Sequence, residues 1–247
     1  MNEDAKRILN VARKAEKVAV ITGAGMSRES GIPTFRGQDG LWKNFRAEDL
    51  ATPEAFRKDP ALVWEWYDWR RQTVLKAQPH QGHRAVAEME SHYREFLLIT
   101  QNVDGLHPRA GSQKLVEIHG SIHRARCSVC SHRFDLPREP IMEIPLVCPR
   151  CQELARPDVV WFGESYEEEK LGRCIDFLSD VDLVWIIGTS GMVSIPVYLA
   201  AHASRNGAFL VDVNPEAAEF SSYCDVAIRG TAGGDFPKIW TSIQSSV

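Results

Sequence analysis

Residues 20–37 read VITGAGMSRESGIPTFRG, and this stretch decides the fold. A β-branched run, Val20-Ile21-Thr22, ends in Gly23-Ala24-Gly25. Glycine permits close approaches that a Cβ would block, so the Gly23 and Gly25 amides can reach a pyrophosphate. Those glycines alone suggest a dinucleotide site. An ordinary dinucleotide fold would continue into a regular helix, and Pro33 with Gly31 and Gly37 forbids one here. A loop carrying Phe35 and Arg36 is therefore expected over the cofactor position.

Outward from that stretch, short apolar runs recur at 18–22, 96–100, 183–188, 209–213 and 226–228. Continuous runs of this length suit strands buried on both faces of a parallel sheet. Helical patterns at 3–14, 82–92, 167–179 and 196–205 fall between them. The alternation predicts an α/β fold with a doubly wound parallel sheet. Two segments interrupt it. Residues 38–79 show no strand signal and carry an aromatic-rich helical stretch at 62–75, and residues 120–156 hold four cysteines among Arg and Pro. Both read as insertions that form a smaller lobe, a helical insertion and a zinc module, with a ligand cleft between lobes. The expected division is 1–37, 79–119 and 157–247 in the nucleotide lobe, against 38–78 and 120–156 in the smaller one.

The chain has 247 residues, 44% apolar and 25% charged, as in a globular protein with a sizeable core. A formal net charge of −4 argues against a general nucleic-acid binder. The first residues lack a signal-peptide core and no apolar run is long enough to span a bilayer, so a cytoplasmic protein is expected. Cys127, Cys130, Cys148 and Cys151 form two Cys-x-x-Cys pairs, the pattern of two knuckles around one tetrahedral zinc. Four thiolates leave no open position for water, so the metal is expected to be structural. Cys174 and Cys224 read as buried thiols.

Several further segments carry chemistry. Thr100 to His107 reads TQNVDGLH directly after a strand, where ligand crevices lie in open parallel sheets. A capped turn through Asn102 or Asp104 would also explain these polar residues. His119 follows an apolar stretch and precedes Gly120; it is a candidate base near neutral pH, with His80, His83, His107 and His123 as competitors. Gly188-Thr189-Ser190 and Val213-Asn214-Pro215-Glu216 end buried runs with groups suited to phosphate and ribose. Residues 159–163 are extended and apolar, fit either to pair with a peptide or to enter the core as a strand.

Taken together, these motifs resemble the sirtuins, NAD-dependent protein-lysine deacylases. The match runs from Gly23-Ala24-Gly25 with Ser27, through Gly31-Ile32-Pro33 with Phe35-Arg36-Gly37, to TQNVDGLH, His119-Gly120, both cysteine pairs, Val160-Trp161-Phe162-Gly163, Gly188-Thr189-Ser190 and Asn214-Pro215-Glu216. The resemblance implies a Rossmann-like lobe, a zinc lobe, and NAD consumed as co-substrate. It implies that Asn102 and Asp104 with Ile32 hold the nicotinamide end. It gives His119 as the general base, so activity should fall as pH drops below that residue's effective pKa. Gly188, Ser190, Asn214 and Ala232 would contact the adenosine half, and Ala24, Thr34, Trp42, Gln101, Thr189, Pro215 and Glu216 belong to the same implied cofactor set. Acylated-lysine proteins would be the partners, their backbone pairing with Val160, Trp161, Phe162 and Gly163. The products would be free lysine, nicotinamide and O-acyl-ADP-ribose.

One departure narrows the substrate. Many deacetylases of the family carry Asp before the Phe-Arg of the first loop, and this chain has Thr34. Thr34, Ala51 and the Tyr67/Arg70 pair resemble the class III branch. Residues three apart share a helix face, so a phenol and a guanidinium there can hold a carboxylate. Arg71 would point about 100° away. The implied substrates are succinyl- and malonyl-lysine, besides acetyl-lysine. The alternatives are a sirtuin that chiefly deacetylates or transfers ADP-ribose, and a non-catalytic zinc-ribbon or NAD-sensing module.

Overall fold

A computed structural model describes residues 3–33 and 45–245. Its strands are β1 (Lys17–Thr22), β2 (Glu95–Thr100), β3 (Leu115–Glu117), β4 (Gly120–Cys127), β5 (Arg133–Asp135), β6 (Ala155–Val159), β7 (Leu183–Ile187), β8 (Phe209–Val213) and β9 (Val226–Ile228). Its helices are α1 (Glu3–Lys14), α2 (Gly25–Arg28), α3 (Ala47–Leu50), α4 (Pro53–Lys58), α5 (Pro60–Lys76), α6 (Gln81–His92), α7 (Leu106–Ala110), α8 (Glu168–Leu178), α9 (Ser194–Arg205) and α10 (Phe236–Gln244).

The main sheet runs β3-β2-β1-β7-β8-β9, all neighbours parallel. The order reverses between β1 and β7, the switch point at which such sheets bind ligands. Alternate residues of each strand feed opposite faces. Val18, Val20 and Leu98 pack with Ile8 of α1, Met89 of α6 and Trp240 of α10, whereas Ala19, Ile21 and Leu97 pack with Leu178 of α8 and Leu199 of α9. Burial on both faces explains why these strands read as unbroken apolar runs.

The smaller lobe is built on an antiparallel sheet, β5-β4-β6, packed with α3 to α5 around Trp64, Trp66, Phe56 and Ile122. Short helices start where capping chemistry permits. Thr52 Oγ1 accepts from Ala55 N–H at 3.1 Å ahead of α4, Asp59 Oδ1 accepts from Leu62 N–H at 3.0 Å ahead of α5, and each helix begins with proline. The strand expected at 159–163 lies upstream instead, at β6. Arg156 and Asp158 hid it from the sequence pattern. Both are buried as ion pairs, Arg156 with Glu164 and Asp158 with Arg133 at 3.2 Å. Among the described residues, no helix is long and apolar enough to cross a membrane.

Candidate active site

The carboxyl ends of β1, β2, β3, β7 and β8 bring the sequence-predicted residues to one edge of the sheet. At the switch point, Gly23 N–H donates to Ile187 O at 3.2 Å and Gly25 N–H to Gly188 O at 2.7 Å. A Cβ on Gly25 would lie 2.8 Å from Gly188 Cα, and one on Gly188, whose φ is +62°, would lie 2.3 Å from Met26 N. The glycines are thus required by two loops packing on each other. This differs from the sequence expectation, because these two amides already serve protein carbonyls. The turn after Gly25 is only α2, and the chain leaves it through Gly31 at φ +82°. Ala24 precedes α2 and Ile32 is half-buried against the smaller lobe's core. Thr34, Phe35, Arg36 and Trp42 lie outside the described residues.

Behind this turn sits a polar triangle. Asn102 Nδ2–H donates to Ser27 Oγ at 3.0 Å, and Ser27 O–H donates to Asp104 Oδ2 at 2.6 Å. Asp104 Oδ1 accepts from Leu106 N–H at 2.9 Å, so the capping role foreseen for Asp104 exists alongside its contact with Ser27. Burial raises the Asp104 pKa, and the bonds from Ser27 and Leu106 oppose that shift. Asn102 caps nothing; its amide is oriented by Ser27. Gln101 Nε2–H reaches Thr189 Oγ1 at 2.9 Å and ties the β2 and β7 loops together. Ser190 O accepts from Glu219 N–H at 3.3 Å.

His119 stands two residues past β3. Its Nδ1 lies 2.9 Å from Gln101 O. A carbonyl only accepts, so Nδ1 carries the hydrogen and Nε2 keeps its lone pair. Nε2 is 3.0 Å from the hydroxyl of Tyr166, a residue that sequence reasoning missed. Burial holds the imidazole below the ordinary histidine range, against the opposing pull of the Gln101 carbonyl. The competing histidines are committed elsewhere. His107 is buried against Thr22, His83 is wholly buried beside it, His80 bonds Met26 O at 2.6 Å, and His123 bonds Asp104 O at 2.9 Å.

In the smaller lobe, α5 carries Tyr67 and Arg70. Tyr67 is buried; its oxygen accepts from Trp161 Nε1–H at 2.9 Å, which leaves the phenol hydrogen available to donate. The Arg70 guanidinium lies 4.8 Å from the Trp66 ring and 5.7 Å from the Tyr67 ring. Burial lowers the Arg70 pKa, and the nearby Tyr67 and Asp104 oppose that. Arg71 turns away to Asp68 Oδ1 at 2.6 Å and Glu139 O at 2.6 Å, as its helical position requires. Ala51 is buried, and its carbonyl accepts from Phe162 N–H at 3.0 Å. Residues 160–163 follow β6 as a turn. Val160 N–H bonds His119 O at 2.9 Å, Trp161 N–H bonds Glu164 Oε2 at 2.8 Å, and Gly163 sits at φ +82°. Three amides of this segment are therefore already engaged, which narrows the strand pairing expected of it. Trp161 is held by the Arg156 guanidinium 3.3 Å from its ring centre, while Phe162 is exposed.

At the far end, Asn214 follows β8 with its amide nitrogen on Asp212. Asp212 is fully buried and also accepts from Ser221 O–H at 2.6 Å and Arg229 Nη1 at 2.8 Å. Arg229 Nη1 spans to Glu216 O at 3.1 Å, past Pro215. Ala232 is buried, its carbonyl 2.1 Å from where a Cβ on Gly82 would lie.

The cysteine pairs converge. The four Sγ atoms lie within 4.8 Å of one another, with Cys127–Cys151 at 3.4 Å and Cys130–Cys148 at 3.8 Å. Tetrahedral zinc with Zn–S of about 2.3 Å needs sulfurs about 3.8 Å apart. Val129 and Cys130 amides point at Cys127 Sγ, each at 3.3 Å, and Arg150 N–H points at Cys148 Sγ at 3.4 Å. Each knuckle closes through a left-handed residue, Ser131 at φ 57° and Gln152 at φ 63°. The donor set and its spacing fit structural Zn2+.

The Sir2 family model matches residues 23–195. The chain is 52% identical over 230 residues to the NAD-dependent protein deacylase of Leptospira interrogans, covering 92% of each, and 47% identical over 227 residues to that of Aquifex aeolicus, covering 92% of this chain and 95% of the relative. Among solved structures, it superposes on a Sir2 homolog–NAD complex with a TM-score of 0.92 at 38% identity, over 98% of this chain and 94% of that one. It also superposes on a Sir2–p53 peptide–NAD+ complex with a TM-score of 0.84 at 26% identity, over 100% of both chains. With the switch-point glycines, the Ser27–Asn102–Asp104 triangle, His119 and the four-thiol knuckle all in one chain, this protein belongs to the Sir2 family.

Proposed function

We propose that this protein is an NAD-dependent protein-lysine deacylase that favours acidic acyl groups, succinyl and malonyl, over acetyl. NAD is the co-substrate that takes up the acyl group. His119 is the general base: its Nδ1 is fixed by Gln101 O, so Nε2 is the atom that can accept a proton from a ribose hydroxyl. Asn102 and Asp104, locked through Ser27, hold the nicotinamide end with Ile32. Ala24, Gly188, Thr189, Ser190, Asn214, Glu216 and Ala232 serve the rest of the dinucleotide. The acyl-lysine binds between the nucleotide lobe and the smaller lobe, against residues 160–163.

The observation that carries the acidic preference is the α5 pair. Tyr67 and Arg70 share one helix face, the Tyr67 hydroxyl has its hydrogen free beyond the Trp161 bond, and Arg70 is a cation held among aromatic rings. A carboxylate beside them gains charge-assisted bonds that a methyl group cannot make. Losing one partner of a buried charged contact costs about 2–5 kcal/mol, or about 30-fold to more than 1,000-fold. The test is one peptide bearing either succinyl- or acetyl-lysine, assayed with wild type and Arg70→Met. Desuccinylation should fall by at least about 30-fold, and deacetylation far less. Equal loss of both activities would refute the clamp.

A further inference from the structure

Tyr166 stands at the accepting nitrogen of His119. Its hydroxyl is 3.0 Å from His119 Nε2, with ring centres 5.5 Å apart. Because Nδ1 is held by a carbonyl, Nε2 accepts and the phenol donates. Burial raises the Tyr166 pKa, so the phenol stays a neutral donor. The ring is half-buried against the apolar cluster under α8, which fixes where the hydroxyl can reach. Tyr166 lies in the short irregular segment between β6 and α8, only two residues beyond Glu164, whose carboxylate anchors Trp161 N–H and Arg156.

We propose that Tyr166 is a latch on the base. In the free protein its hydroxyl holds the Nε2 lone pair, and the ribose hydroxyl that will give its proton to His119 must first displace it. This rests on the reading of His119 as the base. The cost of displacement falls on NAD binding, since the phenol bond must break before the ribose hydroxyl can take its place. Removing the phenol oxygen while keeping the ring should therefore improve binding, the reverse of what a direct substrate contact would do.

The experiment is calorimetric titration of NAD into the zinc-loaded full chain as wild type, Tyr166→Phe, His119→Ala and the double variant, with steady-state kinetics beside it. Tyr166→Phe should tighten NAD by about three- to tenfold, the worth of one net hydrogen bond, with the kinetic gain appearing in KM rather than kcat. In the His119→Ala background the same substitution should change the Kd by less than about 1.5-fold, since no base nitrogen remains to compete for. Unchanged or weaker NAD binding in Tyr166→Phe overturns the latch, as does an equal gain in both backgrounds. If Tyr166→Phe melts early, Tyr166→Leu is titrated against the same criteria. Failure of the base reading shows separately, as near wild-type turnover by His119→Ala.

Discussion

Lowering the pH from 7 to 5.5 should destabilise the fold through His83 and His107. Both rings are buried, and their centres are 4.9 Å apart. Burial, followed by electrostatic coupling to the His107 and His80 rings, pushes His83 down to about 2; burial, followed by coupling to the His80 ring, pushes His107 down to about 3. Each is therefore neutral in the folded protein throughout the range. The unfolded chain titrates near 6.5, so below that pH it binds protons that the folded state refuses. Stability must then fall as pH falls, the sign expected of a depressed pKa. Between pH 7 and 5.5 each imidazole contributes a loss of about 1.25 kcal/mol, or about 2.5 kcal/mol together, against a typical total of about 5–15 kcal/mol. The assay is urea unfolding followed by tryptophan fluorescence at both pH values. It compares wild type with the double variant His83→Gln/His107→Gln, which keeps hydrogen-bonding amides but cannot titrate. Loss of zinc and titration of other histidines affect both proteins alike and cancel in the comparison. The wild type should lose about 2.5 kcal/mol more than the variant. An equal loss in the two proteins would refute the reasoning.

Two other predictions follow from backbone geometry and from the thiols. Gly188→Ala should cost about 3 kcal/mol or more and weaken NAD binding, because a Cβ would meet Met26 N at 2.3 Å and φ is +62°; a melting temperature within a degree of wild type would contradict the packing argument. Cys148→Ser should abolish stoichiometric zinc and open residues 120–156 to protease, since four-thiolate sites contribute roughly 10 kcal/mol or more to their folds; metal analysis that still finds one zinc per chain would contradict the site.

The sheet was legible because its chemistry is local. Residues 18–22 and 183–187 must be apolar on both faces, as Val18 and Val20 serve one helical layer while Ala19 and Ile21 serve the other. β6 was illegible because its polar residues are neutralised by partners that periodicity cannot see: Arg156 finds Glu164, and Asp158 finds Arg133. The reach of Tyr166 to His119 spans 47 residues and that of Ser27 to Asp104 spans 77, so neither leaves a mark in any window. The glycines were legible as a motif but not for their reason, which is the approach of Gly25 to Gly188.

The histidines show where sequence reasoning alone stops and geometry takes over. His107 and His119 are the same chemical type, one in the short helix α7 after β2 and the other two residues past β3, and composition cannot choose between them. His107 Nε2 meets Thr22 Oγ1 at 3.1 Å, and Thr22 O–H donates to Thr100 Oγ1 at 2.9 Å. Its nearer nitrogen is thus a committed donor inside the core, and a proton accepted by the ring would be held at a pKa of about 3. A base of that strength gains little driving force for deprotonating a sugar hydroxyl. His119 has the opposite arrangement: the donor nitrogen is turned inward to Gln101 O, and the accepting nitrogen faces the Tyr166 phenol. The direction of one hydrogen bond at Nδ1 therefore separates His119 from His107 as a candidate base, which the presence of a histidine cannot do.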